Sequence, residues 1–246
     1  MGINILVTGG GTLVPIDDVR QITNMSTGRF STAISEAALR RGAHVWHVHG
    51  KGALTPFDSR ARFHLDCPDI TAELARLQAL KAEYDEVKHR LNVVPLVEGT
   101  VPEYAETLER LLKTEPIDIV FLAMAVSDFA PIPDPGKIAS EIDELVVHCR
   151  RLPKLIRSVR DWSPSVYLIG FKLLSGSTEA ALIDRARRDL TVNRADLTVA
   201  NDLRLIRQGR HTIHLVRPDE PVETLGPEVD LAKELVDRVL LWSQPR

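Results

Sequence analysis

Three consecutive glycines, Gly9, Gly10 and Gly11, follow directly on the apolar run INILV. Glycines at the end of a strand let backbone N–H groups approach an anion without side-chain obstruction, so they suggest a phosphate. A tight structural turn is the alternative reading of the glycines alone. Farther on, Arg20, Asn24, Ser26 and Thr27 offer directed donors just before Gly28 opens a helix. A helix N-terminus also favours an anion. Residues 12–27 contain neither Lys nor Glu, which is unusual for a plain surface loop. Each hydrogen bond to a charged phosphate contributes about 1.5–3 kcal/mol, so several donors together can hold a polyanion against its hydration.

A second group of candidates lies in DFAPIPDPGKIAS, residues 128–140, where three prolines and Gly136 disfavour both helix and sheet. This stretch follows the apolar run IVFLAMA, so it hangs over the carboxyl ends of the strands, where open α/β sheets bind ligands. A long loop in such a position usually carries function. The dinucleotide fingerprint GxGxxG is not met, because Val14 stands where the third glycine belongs. The run VWHVHGK does not end in a ribose-binding acid, and no GxxxxGK[ST] is present. His47 and His49 share one strand face and with His64 make a weak metal candidate; no metal site is expected from them. Asp17 and Asp18 could reach Mg²⁺ or cap a turn after Pro15, and both readings stand.

These residues need a scaffold. Short apolar runs at 3–7, 44–49, 93–97, 117–123, 166–171 and 197–200 alternate with helical patterns at 29–41, 70–90, 102–113, 153–162, 179–190 and 227–242. Continuous apolar strands separated by amphipathic helices predict an α/β fold with a Rossmann-like, doubly wound, mostly parallel sheet. Thr100 and Glu103 form a candidate capping box, and Gly42 a helix stop. ELVVHC at 144–149 and HTIHLV at 211–216 read as a small β extension. The 246 residues fit one generous domain, expected to span 1–246.

A formal net charge of −3 leaves no footprint for nucleic acid or an anionic membrane, so small molecules are the expected partners. No secretory signal and no run of ~18 apolar residues is evident, and a cytoplasmic protein is expected. Cys67 and Cys149 have no metal or redox spacing and read as reduced thiols.

The stretch TGGGTLVPIDDVRQITNMSTGR resembles the signature of phosphopantothenate–cysteine ligases, the DNA/pantothenate metabolism flavoprotein C-terminal domain family. AMAVSDF (123–129), GKI (136–138), RRLPKLI (150–156), IGFK (169–172) and ADLTVAND (195–202) match further blocks in order. No flavin-binding decarboxylase half accompanies these blocks, so the expectation is a free-standing ligase. The resemblance implies an enzyme of coenzyme A biosynthesis that joins 4′-phosphopantothenate to L-cysteine. In such enzymes the carboxylate attacks the α-phosphate of CTP or ATP, giving an acyl-nucleotide and pyrophosphate, and the cysteine amine then displaces the nucleoside monophosphate. Mg²⁺ accompanies the nucleotide, and the family is dimeric, so a homodimer is implied.

Carried over by motif, Asn24 handles the acyl-nucleotide and Lys137 is the flap lysine needed to form it. The nucleotide contacts implied are Gly9, Gly10, Gly11, Ala123, Met124, Asp128, Lys137, Phe171 and Lys172. Those implied for phosphopantothenate are Arg20, Asn24, Ser26, Thr27, Gly28 and Ala125. The chain departs from two-domain bacterial members in reading GFKLL for GFAAE and KIAS for KIKK. It also has Asp189 and Asn193 where CTP-specific members carry lysines, and Lys172 is a candidate replacement for the lost charge. Both nucleotides therefore stay open. Two other classes share the broad pattern. An NAD(P)-dependent reductase would need a ribose-binding acid and a Tyr-x-x-x-Lys pair, for which only Tyr84 and Lys88 have the spacing. A non-catalytic nucleotide sensor would bind nucleotide without releasing pyrophosphate.

Overall fold

Six strands run parallel in the order 3-2-1-4-5-6, the arrangement of a doubly wound dinucleotide fold. A computed structural model describes residues 2–132, 136, 138, 141 and 143–244. The parallel strands are β1 (Asn4–Gly9), β4 (His44–His49), β5 (Leu91–Pro95), β6 (Ile119–Leu122), β9 (Tyr167–Leu174) and β10 (Leu197–Asp202). Two antiparallel strands, β11 (Ile213–Val216) and β12 (Glu223–Leu225), extend the sheet beyond β10. Two ribbons lie off the main sheet: β2 (Leu13–Pro15) with β3 (Gln21–Thr23), and β7 (Phe129–Pro131) with β8 (Cys149–Arg151). The helices are α1 (Arg29–Arg40), α2 (Asp58–Ala61), α3 (Ile70–Val87), α4 (Val101–Thr114), α5 (Val159–Trp162), α6 (Glu179–Val192), α7 (Leu203–Arg207) and α8 (Leu231–Trp242).

Alternation along β1 explains the three layers. Ile5 and Val7 face one side, where Ile34, Ala38 and Leu39 of α1 pack with Leu235, Val236 and Val239 of α8. Leu6 faces the other, against Tyr104, Leu108 and Leu111 of α4. Successive strand side chains point to opposite faces, so a sheet covered on both sides needs continuous apolar runs.

The β extension differs from its expectation. HTIHLV forms β11 at the edge, but of ELVVHC only Cys149 enters a strand, and that strand pairs with β7 off the main sheet. The apolar run looked like a strand, yet Leu145 and Val146 are exposed and have no sheet to join. The helix expected at 153–162 is a 3₁₀ turn, Leu155–Ser158, leading into the short α5. At the start of α4 the Thr100 hydroxyl accepts from Glu103 N, as in a capping box. The Glu103 carboxylate instead collects the N–H groups of Val97, Glu98 and Gly99 and so closes the loop before the helix.

Candidate active site

The strand order reverses between β1 and β6, so the loops leaving their carboxyl ends diverge and open a crevice. Backbone bonds stitch the loops together just beyond the sheet. Ala125 N donates to Gly10 O at 2.8 Å, and Thr12 N donates to Ala125 O at 3.1 Å. Ser127 N donates to the Thr12 hydroxyl at 3.0 Å. The long interval between the glycines and α1, a polar loop by sequence, is occupied by the β2–β3 hairpin. It runs outward from Gly11, turns at Asp17, and returns to deliver Asn24 at the crevice, where Asn24 Nδ2 donates to Ala125 O at 2.9 Å.

The glycines have a packing reason of their own. A Cβ at Gly9 would lie 1.8 Å from Ser31 Oγ, one at Gly10 2.5 Å from Ala53 Cβ, and one at Gly11 2.6 Å from Asn24 O. Gly10 and Gly28 also take left-handed φ values of 83° and 76°, which glycine adopts without strain. Hairpin, turn and helix thus crowd onto one point, leaving no room there for side chains. Gly28 caps α1 without a side-chain bond, and the first turn of that helix carries no acid, so its positive end is not neutralised locally.

Two clefts open from this point. The first, about 630 Å³, is lined by Gly11, Asn24, Ser26 and Thr27 together with Arg29 and Lys51. The second, about 480 Å³, includes Asn24, Met124, Ala125, Asp128, Phe171 and Lys172. Asn24 lines both. Neither cleft takes in Gly9, Gly10, Ala123, Gly28 or Arg20. Arg20 points instead to Asp17 Oδ2 at 2.9 Å and to the Ile138 carbonyl at 3.4 Å. The Lys137 assignment lies outside the described residues.

The first cleft is lined by two cations and no acid. In the second, Arg151, Lys154, Arg157, Lys172 and Arg185 face Asp128 and Asp189. Lys154 pairs with Asp128, while Lys172 and Arg185 meet Asp189 at 3.1 and 3.2 Å. Arg151 and Arg157 have no carboxylate partner among the described residues, which leaves positive charge exposed in the crevice. Phe171 packs edge-on against Phe30 of α1, ring centroids 6.2 Å apart, and so fixes an aromatic wall. Sequence reasoning assigned no site role to Arg151, Lys154, Arg157, Arg29 or Lys51. The basic cluster RRLPKLIR beside the proline-rich stretch was the available signal for the first three, and the end of the STGR stretch for Arg29; Lys51 had none.

Other candidates resolve into packing. Asp17 Oδ1 accepts from Val19 N and Arg20 N, so it is the turn cap. His47 is buried with Nδ1 2.8 Å from Ser35 Oγ, and His64 pairs with Glu73. Burial, reinforced by His49, pushes the His47 pKa down to about 3. Among the described residues no group of three or more His, Cys, Asp or Glu is placed to hold a metal. Cys67 and Cys149 are free thiols, and among the described residues no helix is long and apolar enough to cross a membrane.

Fold and crevice together define a Rossmann-like α/β protein with a ligand site at the switch point. The family model for the DNA/pantothenate metabolism flavoprotein C-terminal domain matches residues 1–93 and 86–241, and the chain belongs to that family. It is 32% identical over 218 residues to the coenzyme A biosynthesis bifunctional protein CoaBC of Thermococcus kodakarensis, an alignment covering 89% of this chain and 46% of that protein. The chain therefore spans about half the length of that relative. It is 29% identical over 260 residues to the phosphopantothenate–cysteine ligase of Mus musculus, covering 94% and 81% of the two chains. The crystal structure of the DNA/pantothenate metabolism flavoprotein from Streptococcus pneumoniae superposes with a TM-score of 0.78 at 27% identity, covering 98% of this chain and all of that one.

Proposed function

We propose that this chain is a phosphopantothenate–cysteine ligase, one ligase domain over residues 1–246, acting in the cytoplasm on the route to coenzyme A. The observation that carries the reading is the position of Asn24, which lines two neighbouring clefts at once. A ligase of this type must bring together two anions, a carboxylate and a triphosphate, and then hold the acyl-nucleotide that joins them. In this reading 4′-phosphopantothenate occupies the first cleft, among Ser26, Thr27, Arg29 and Lys51. The nucleotide occupies the second, between Phe171 and the basic residues. The reacting centre falls at Asn24, whose neutral amide holds the intermediate without repelling it.

Positive charge placed where negative charge develops is the main lever available to such a site. Arg151 and Arg157 supply it from the second cleft, and Lys137 supplies it from the flap. Mg²⁺ would accompany the nucleotide and offset phosphate charge, needing few protein ligands. Asp128 is the carboxylate nearest in role, provided that Lys154 releases it. CTP and ATP are both candidate co-substrates; Asp189 engages Lys172 and Arg185 at the wall beside Asn193. A homodimer is supported by the exposed apolar side chains Met25, Phe129, Ile132 and Val146 around the two ribbons. Light scattering should give twice the 27.4 kDa chain mass, and a monomer would remove that part of the proposal.

The deciding experiment mixes protein, 4′-phosphopantothenate, Mg²⁺ and cysteine with CTP or ATP in parallel and follows pyrophosphate. Release with at least one nucleotide, dependent on phosphopantothenate, is expected. Silence with both ends the ligase reading.

A further inference from the structure

Asp17 sits at the tip of an exposed hairpin, yet its carboxylate is fully buried. Its two oxygens have separate partners. Oδ1 accepts from Val19 N at 3.0 Å and Arg20 N at 2.6 Å, closing the local turn. Oδ2 accepts from Arg20 Nη1 at 2.9 Å and, across 121 residues of sequence, from Ile138 N at 3.1 Å. Two further contacts reinforce the long-range link. Asp18 N donates to Gly136 O at 3.3 Å, and the Arg20 guanidinium donates to Ile138 O at 3.4 Å through both terminal nitrogens. Burial alone would raise the carboxyl pKa. The N–H groups of Val19, Ile138 and Arg20, with the Arg20 charge, outweigh it and hold Asp17 below the usual carboxylate range.

From this tip β3 runs back to Thr23 and so to Asn24, paired along its length with β2. The hairpin is therefore a short paired arm, with Asn24 at its base and the Gly136 and Ile138 backbone at its tip. We infer that Asp17 is a positioning residue of the proposed ligase: its Oδ2 couples the arm bearing Asn24 to the backbone on either side of position 137. Asp17 touches no substrate in this account. It sets the registry between two loops that must act on one reaction. Asn24 and the lysine assigned to the flap serve one acyl-nucleotide, the lysine in forming it and Asn24 in handling it, and small misplacements of reacting groups lower rates steeply. The inference rests on the function proposed above.

Asp17→Asn separates the two halves of the residue. The amide oxygen can still accept from Val19 N and Arg20 N, so the turn is retained. The amide NH₂ replaces Oδ2, cannot accept from Ile138 N and repels the Arg20 guanidinium. Amide-resolved hydrogen exchange should show the Ile138 N–H exchanging at least about tenfold faster in the variant, with Val19 and Arg20 unchanged. Pyrophosphate release should fall at least about tenfold in kcat, with KM for nucleotide within about twofold. An unchanged Ile138 exchange rate, or a kcat within about twofold of wild type, overturns the inference. If wild type releases no pyrophosphate, the ligase reading fails by itself and the exchange rates alone decide the coupling. If the variant does not fold, the wild-type Ile138 amide decides: protection of at least about tenfold over an unstructured reference is required, and an unprotected amide overturns the link.

Discussion

Asn24 donates from Nδ2 to the Ala125 carbonyl oxygen at 2.9 Å, and this bond, with that from Ser127 N to the Thr12 hydroxyl, joins the two loops that leave the sheet on either side of its switch point. The first loop carries the glycines and the hairpin; the second carries Asp128. A hydrogen bond there orients the amide at the crevice. It also makes the residue sensitive to charge, because a carboxylate cannot donate to Ala125.

Asn24→Asp places a negative charge against the Ala125 carbonyl oxygen and beside an anionic intermediate. Acyl-nucleotide formation should remain measurable, while its onward reaction with cysteine slows by roughly 10²-fold or more, the scale of losing one donor at a developing charge. Quenched-flow separation of the acyl-nucleotide from the final product measures both steps. Normal conversion of the intermediate would show that Asn24 has no part in the second step.

Gly11→Ala tests whether the glycines position Asn24. The new Cβ would lie 2.6 Å from the Asn24 carbonyl oxygen, so the base of the hairpin must move. A loss of about 1–3 kcal/mol in unfolding free energy is expected from such overpacking, accompanied by loss of pyrophosphate release. Gly209→Ala is the comparison: Gly209 lines neither cleft and has φ 74° but nothing within 4 Å of a new Cβ, so only the backbone penalty of about 1–2 kcal/mol applies. Urea unfolding and turnover measured on both variants should separate steric displacement from conformational cost. Equal effects would remove the positioning role from Gly11.

How much of this could be read from residues alone differed by element. The parallel strands were legible because burial on both faces requires long apolar runs, as in ILV of β1 and the VYLIGF stretch entering β9. The β2–β3 hairpin was not, since each strand has only three residues and Pro15, Asp17 and Asp18 break any alternation. ELVVHC misled because apolar content was taken for a strand where Cys149 alone supplies ladder pairing. Asn24 stood out as a polar donor before Gly28, whereas its role, Asp128 and Phe171 came from the resemblance; all three line the second cleft. Lys51 was hidden for a different reason. An isolated basic residue carries no sequence pattern, and only the folding of β4 beside the switch point brings it to the crevice.

Lys137→Ala removes the one flap cation assigned to forming the acyl-nucleotide. Arg151 and Arg157 remain in the second cleft and continue to attract the triphosphate. Turnover should therefore fall by roughly 10²–10³ while KM for nucleotide changes much less, the pattern of an interaction made chiefly in the transition state. Steady-state pyrophosphate release over a nucleotide series gives both constants. A rise in KM with unchanged kcat would make Lys137 a simple binding residue, and near-normal activity would end the flap assignment.

His47 gives the fold a pH dependence that is separable from the chemistry. Its imidazole is completely buried beneath α1, bonded through Nδ1 to Ser35 Oγ, and burial with the His49 charge lowers its pKa to about 3 from an ordinary 6.5. The unfolded chain takes up a proton on this residue below pH 6.5, whereas the folded chain stays neutral there down to about pH 3. Each pH unit in that window therefore removes about 1.4 kcal/mol of stability, or roughly 2 kcal/mol between pH 6.5 and 5. His211 and His214, also lowered by burial, act in the same direction. The depressed carboxylates, Asp17 among them, act in a lower window, near and below the ordinary carboxylate range. Urea unfolding of wild type and His47→Gln at pH 7, 6 and 5 isolates the residue by difference. The variant should start less stable at pH 7 and lose less as the pH falls. Parallel pH profiles for the two proteins would show that the proton taken up on unfolding belongs elsewhere.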